Sequence, residues 1–229
     1  MSRRPHLTRK LIAAAHTRPV ADDDPTAMRL LSDAELAAHY EATMADAGHP
    51  PAVWVFGYGS LMWHPELEPD EERLAVVHGW HRRFCLWQWR YRATRERPGL
   101  MLALDRGGAC KGVVFRLDGG DLRARLARVW EREMRADGYR PRWVRAHTAQ
   151  GVVPALTFVA NRGGERYAGA LALETVAATI ARACGHKGAA AEYLLETVNH
   201  CEQLGIRDAY LWRLQRLVAG GLTPENPVK

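Results

Sequence analysis

No apolar run in this 229-residue chain approaches the roughly 18–20 residues that a membrane-spanning helix requires. The opening stretch MSRRPHLTRKLIAAAHTRP is basic, and its apolar part is LIAAA alone. A secretory signal needs a longer apolar segment and a small-residue cleavage site, so a cytoplasmic protein with no membrane partner is expected. Cysteine is sparse and scattered: Cys85, Cys110, Cys184 and Cys201 form no C-x-x-C pair, which argues against a zinc ribbon or a dithiol redox motif. A disulfide framework is not expected at this length, and each cysteine reads as a small buried hydrophobe. Internal repeats and low-complexity tracts are also missing.

The remaining composition, 47% apolar and 25% charged, is that of a globular domain able to bury a core without staples. The formal net charge of +6 favours an anionic partner but does not establish nucleic-acid binding. The basic residues have a focus: Arg82, Arg83, Arg90, Arg92, Arg95 and Arg97 stand against Glu96 alone. In RRFCLWQWRYRATRER the arginines alternate with Trp and Tyr. Three readings stay open there: a base-stacking surface for single-stranded nucleic acid, a strand followed by a solvated arginine loop, or a neutralising wall for a small anionic substrate.

The first 25 residues, with the acidic knot Asp22-Asp23-Asp24-Pro25, read as an arm or short helix laid on the surface. Ser32 and Glu35 have the spacing of a capping box, predicting a helix to about Asp46 that ends at Gly48 and Pro50-Pro51. WVFGYGSL then predicts a strand and a turn. Residues 74–91 are rich in Val, Trp, Phe and Tyr and predict one or two strands. Leu100–Leu104 and Lys111–Leu117 predict two more, separated by a turn at Asp105-Arg106-Gly107-Gly108. A helix over 121–135, strands at Trp143–Thr148 and Val152–Val159, and three helical pieces after Glu174 complete the pattern. The fold class is α+β: a small mixed or antiparallel β-barrel with surrounding helices. One domain over 51–219 is expected, with a helical extension at 1–50 and a tail at 220–229.

The glycine turn after Val53-Trp54-Val55-Phe56 fails the familiar phosphate and nucleophile motifs. The dinucleotide fingerprint needs a third glycine where Met62 stands. A Walker loop needs Gly-Lys-Ser/Thr, which is absent, and the nucleophile elbow needs a glycine on each side of the serine. Two glycines do allow the N–H groups of Gly59, Ser60 and Leu61 to converge into an anion-binding concavity, although a tight turn without a ligand fits equally well.

On the helix from Asp121, residues advance by about 100° each. With Leu122 at zero, Leu126 falls at about 40°, Val129 at about 340° and Trp130 at about 80°, which makes a core-facing stripe. Glu131 falls at about 180°, in solvent, whereas Glu133 falls at about 20°, inside the stripe. Desolvating a carboxylate there costs several kcal/mol unless it is paired or its pKa rises. A buried salt bridge and a general base with a raised pKa both fit. His78 and His81 should point to opposite faces of a strand, and no third ligand completes a metal site. No local signature assembles a Ser-His-Asp triad.

Taken together, VFGYGSLMW, HGWHRRFCLW, the WEREM element, PRWV and the late AEYL helix resemble the ChaC family of glutathione-specific γ-glutamylcyclotransferases. The resemblance runs from about Val53 to Arg213, roughly seven-tenths of the chain. The N-terminal extension resembles that of bacterial members, which implies a bacterial source. The resemblance implies a γ-glutamylcyclotransferase-like barrel and a substrate-binding strand end at Val55, Phe56, Gly57, Tyr58, Gly59 and Ser60. It implies that Glu133 is the catalytic glutamate and that Tyr193, in AEYL, is a second wall of the pocket. Met134 stands where eukaryotic members often carry Lys, with no expected effect on the base. The implied reaction cyclises the γ-glutamyl group of glutathione to 5-oxoproline and releases cysteinylglycine, with no metal or cofactor. Other γ-glutamyl amides are the alternative substrates. A non-enzymatic basic protein that binds nucleic acid or regulates is the remaining alternative, and nucleic acid is the disfavoured partner.

Overall fold

The computed structural model describes residues 6–16, 24, 26 and 28–223. Residues Asp22, Asp23 and Pro25 of the acidic knot, and 224–229 of the expected tail, lie outside the described residues. In chain order the elements are α1 (Arg9–Ala15), α2 (Asp33–Asp46), β1 (Ala52–Gly57), a 3-10 turn (Ser60–Met62), β2 (Glu71–Gln88) and β3 (Gly99–Asp118). They continue as α3 (Leu122–Met134), β4 (Tyr139–Thr148), β5 (Gly151–Ala160), α4 (Leu173–Arg182), β6 (Cys184–Gly185), β7 (Gly188–Ala189), α5 (Ala190–Gln203) and α6 (Ala209–Leu222). Among the described residues no helix is long and apolar enough to cross a membrane.

Five strands close into a barrel in the order β1-β3-β2-β4-β5. The short β1 lies inside it, antiparallel to β3 through Val55↔Phe115 and parallel to β5 through Val55↔Leu156. The strand is paired on both edges, with Val53, Val55 and Phe56 buried and Trp54 half-buried under the Arg73 guanidinium, which accounts for the unbroken Val53-Trp54-Val55-Phe56 run. β4 and β5 form the tight hairpin at 149–150, where the Thr148 hydroxyl donates to the Gly151 carbonyl at 2.9 Å and accepts from the Gln150 N–H at 3.1 Å.

The expected division of β3 into two strands is not what forms. Gly99–Asp118 is one strand of 20 residues. Gly107 and Gly108, at φ +104° and +68°, put a bulge in it where the sequence signalled a reversal. Left-handed glycines serve either purpose; here the strand bends sharply without ending, since Leu104 pairs parallel to β5 whereas 113–118 pair antiparallel to β1, itself parallel to β5. The 74–91 segment is likewise one strand, with Gly79 at φ +81° inside it.

The chain divides into two compact units. One contains 29–83 and 102–167, and the other contains the described residues up to Met28 together with 84–101 and 168–223. In the first, α2 begins with the capping box as expected: Ser32 Oγ accepts from the Glu35 N–H, and the Glu35 carboxylate accepts from the Ser32 N–H. The same unit anchors α3 through Trp130. Its indole N–H donates to the Leu36 carbonyl at 3.1 Å, and its ring meets the edges of Tyr40 and Phe158. In the second unit, α1 buries Ile12 among α5 and α6, and the Leu7 N–H donates to Gln215 Oε1 at 2.8 Å. Cys85, Cys110 and Cys201 are buried there and in the barrel, whereas Cys184 is half-buried; none is in a disulfide.

Gly112 lets β1 and β3 approach closely. A Cβ there would run into the Gly57 carbonyl oxygen and the Phe56 ring. Backbone cannot yield as a flexible side chain can, so Gly112→Ala is expected to destabilise by about 1–3 kcal/mol. Thermal unfolding followed by circular dichroism should show a Tm lower by at least about 2 °C for a chain of this length. An unchanged Tm would mean that the strand pair has slack.

Candidate active site

β1 delivers its end, Gly57-Tyr58-Gly59-Ser60-Leu61, into a turn whose carbonyls are held from several sides. The Thr157 hydroxyl donates to the Phe56 carbonyl at 3.0 Å. Arg82, 3% exposed, donates from Nε to the Tyr58 carbonyl at 2.6 Å, and from Nη2 to the Lys111 carbonyl. The Tyr58 hydroxyl donates to the Phe158 carbonyl at 2.7 Å. Val55 and Phe56 are fully buried, Tyr58 and Leu61 nearly so. Their side chains are therefore packed into the core rather than offered to solvent. A Cβ at Gly57 would crowd Leu61 and the Phe115 ring, each at 3.1 Å.

Arg82 departs from its sequence reading. It opens the arginine-rich stretch, yet it is a buried strut of the turn. Farther along, Arg92 pairs with Glu192 and donates to the Ala189 carbonyl at 3.1 Å, Arg90 lies over the Tyr91 ring, and Arg95 is 3.7 Å from Asp24. Most of the cluster is thereby committed within the protein.

Glu133 stands on α3, one residue before buried Met134, with a side chain 12% exposed. The helix buries Leu126, Val129 and Trp130, as the wheel requires, with Leu122 half-buried at its start. Asp121 caps it by accepting from the Ala124 N–H at 3.1 Å. Burial pushes the Glu133 carboxyl above the usual carboxylate range, and the neighbouring Arg132 guanidinium opposes that rise.

Arg132 is the residue that sequence reasoning missed, because the wheel places it outside the stripe. Its Nε lies 3.2 Å from Glu133 Oε1, its Nη1 donates to the His64 carbonyl at 2.7 Å, and its Nη2 donates to the Ser60 hydroxyl. Glu66 adds a longer contact at 3.8 Å. One planar guanidinium thus ties the glycine turn to the helix and lies against the buried carboxylate. A hint existed in the sequence: a cation next to a stripe glutamate is the natural partner for it. Ser60 Oγ accepts from this cation, so its own hydrogen is left to donate outward. An oxygen so engaged is a poor nucleophile.

Tyr193 belongs to the other unit. It lies half-buried on α5, with its ring edge-on to Phe84 at 6.2 Å between centroids. His81 Nδ1 lies 3.0 Å from the Gly107 carbonyl, and the His78 and His147 rings meet edge to face at 5.0 Å. Among the described residues no group of three His, Cys, Asp or Glu is arranged to hold a metal ion.

A closed five-stranded barrel with a glycine turn against a buried glutamate defines a γ-glutamylcyclotransferase fold. It superposes on the crystal structure of a γ-glutamyl cyclotransferase specific to glutathione from yeast with a TM-score of 0.67 at 22% identity, covering 75% of this chain and 97% of that one. The ChaC-like protein family model matches residues 53–220, and the chain belongs to that family. It is 38% identical over 180 residues to the glutathione-specific γ-glutamylcyclotransferase of Escherichia coli strain K12, covering 78% of each chain. It is 31% identical over 163 residues to the mouse glutathione-specific γ-glutamylcyclotransferase 1, covering 69% of this chain and 73% of that one.

The raised Glu133 pKa has a consequence for stability. The folded state holds this proton more tightly than the unfolded chain, so the group costs nothing below the unfolded pKa. The cost grows as pH rises through the higher folded value. Glu133→Gln removes it. The variant should melt above the parent at pH 8, with the gap closing as pH falls below about 4, near the ordinary glutamate pKa. Scanning calorimetry across that range checks the sign; a variant less stable at pH 8 would show that the charged form is favoured by the fold.

Proposed function

We propose that this chain is a glutathione-specific γ-glutamylcyclotransferase that converts glutathione to 5-oxo-L-proline and L-cysteinylglycine, with Glu133 as its acid–base group. The observation that carries the reading is a desolvated carboxylate held beside the glycine turn by one cation, in a chain of the ChaC-like family.

The chemistry follows from what the substrate already contains. The α-amine of the γ-glutamyl group attacks its own γ-carbonyl, forming a C–N bond and a five-membered ring. The bond from that carbonyl to the cysteine nitrogen breaks. The α-ammonium group gives up two protons, one before attack and one from the ring nitrogen after it. Glu133 passes them in turn to the departing cysteine nitrogen, which leaves as an ammonium, so the carboxylate is regenerated in each cycle. A pKa raised by burial suits both halves of that transfer better than an ordinary glutamate pKa would. The N–H groups of Gly59, Ser60 and Leu61 and the Ser60 hydroxyl would hold the substrate α-carboxylate or the developing oxyanion. Because the nucleophile is part of the substrate, the protein's task is to fold it for ring closure, and no cofactor is required. Val55, Phe56, Gly57, Tyr58 and Leu61 shape the cradle, and the family resemblance alone proposes Tyr193 for a substrate contact. Four free thiols suit a reducing, cytoplasmic setting.

Glu133→Gln should lower 5-oxoproline release from glutathione by about 100-fold or more while leaving glutathione binding nearly unchanged. Chromatographic measurement of 5-oxoproline and cysteinylglycine checks this, and retained turnover would remove Glu133 from the mechanism. Running γ-glutamyl dipeptides beside glutathione tests the specificity; equal rates would widen the substrate class. Arg132→Gln takes away the cation that opposes burial, so the Glu133 carboxyl should titrate still higher. The base must be ionised to accept a proton, so the acid limb of the kcat/KM profile should move to higher pH. A limb that stays in place would mean that Arg132 acts through the turn alone.

A further inference from the structure

The barrel wall opens at a place that contributes nothing to the proposed active site. β2 and β4 pair through Ala75↔Thr148, Val76↔His147 and Val77↔Ala146, and their ladder goes no further. The next residues of β2 are His78 and Gly79, whose φ of +81° bends the strand away as a glycine bulge does. β4 runs on along β5 without it, through Arg145↔Pro154 to Arg142↔Thr157. A cleft of about 640 Å³ opens at the divergence, lined by His78, Trp80, Arg106, Arg142, Trp143, Arg145 and His147 among others. That volume lies within the range of small-molecule sites.

The lining is one-sided in charge. It carries three arginines and two histidines and no carboxylate. Arg106, Arg142 and Arg145 are exposed, and their guanidinium groups enter no ion pair among the described residues. This contrasts with Arg92, Arg123, Arg132 and Arg135, each of which meets a carboxylate. Three exposed guanidinium groups without carboxylate partners leave a positive potential that favours an anion. Arg142 and Arg145, three apart on β4, leave the strand on opposite faces and line one cleft at the edge that β2 has left open. The guanidinium fork suits phosphate oxygens, two at a time. Two indoles complete the wall. Trp143 is fixed there by its N–H donation to the Thr43 carbonyl at 2.8 Å, and Trp80 is half-buried beside Gly79. A planar ring carried by the anion would find an aromatic surface next to its phosphate site.

We propose that this cleft binds a nucleoside polyphosphate, with the phosphates on Arg106, Arg142 and Arg145 and the base against Trp80 or Trp143. It is a binding site separate from the cyclisation chemistry, since none of its lining residues belongs to the strand-end turn or carries Glu133. The proposal therefore stands or falls independently of the proposed activity.

The test is titration of the full chain with ATP, followed by tryptophan fluorescence and by calorimetry, beside adenosine, tripolyphosphate and a short single-stranded oligonucleotide. ATP should bind and quench fluorescence, and added salt should weaken it. Arg142→Ala combined with Arg145→Ala should weaken ATP at least about tenfold, the loss of one charge-assisted contact. The circular dichroism spectrum and Tm of that variant should match those of the parent, which shows that it is folded. No ATP binding at millimolar concentration, or equal binding by the double variant, would overturn the proposal. Tripolyphosphate binding as tightly as ATP would overturn the assignment of a base site. An oligonucleotide bound far more tightly than ATP would overturn it in favour of a nucleic-acid surface.

Discussion

The contact on which the site depends is the fork of Arg132. A glycine turn has no side chains with which to hold itself, and a buried carboxylate has no reason to stay ionised. The guanidinium answers both: it donates to the Ser60 hydroxyl and the His64 carbonyl on one side and lies 3.2 Å from the Glu133 carboxylate on the other. Because one rigid planar group makes all three contacts, the spacing between turn and carboxylate is fixed by covalent geometry. A lysine could satisfy the charge but not the fork.

The barrel serves that contact. β1 is held on both edges, Arg82 and Thr157 tie down the last carbonyls of the strand end, and Trp130 anchors α3 against Leu36, Tyr40 and Phe158. The electrostatic cost of Glu133 is thus carried by a core that is apolar and closely packed around it. Stability and reactivity pull in opposite directions at this position, as is usual where a pKa has been moved for use.

Much of this was legible in the chain. The Ser32–Glu35 spacing marked the start of α2, and the helical periodicity separated Glu133 from Glu131 because both facts are local. The unbroken apolar run announced a largely buried strand. Two features were not legible for the same physical reason. Gly107-Gly108 reads as a reversal, since left-handed glycines serve bulges and turns alike, and only the partner strands decide between them. Arg82 and Arg132 look like surface charges because their acceptors are carbonyls and a hydroxyl 24 to 72 residues away. No periodicity encodes such a partner.

Acid–base work at Glu133 calls for a carboxyl that titrates above the ordinary glutamate range. Carbon-13 NMR of glutamate-labelled protein, with Glu133 assigned by its Gln variant and followed through a pH titration, measures this directly. The structure predicts a midpoint displaced upward from the ordinary value of about 4.3, and displaced further in Arg132→Gln. A midpoint at or below that ordinary value would contradict the picture of a desolvated base.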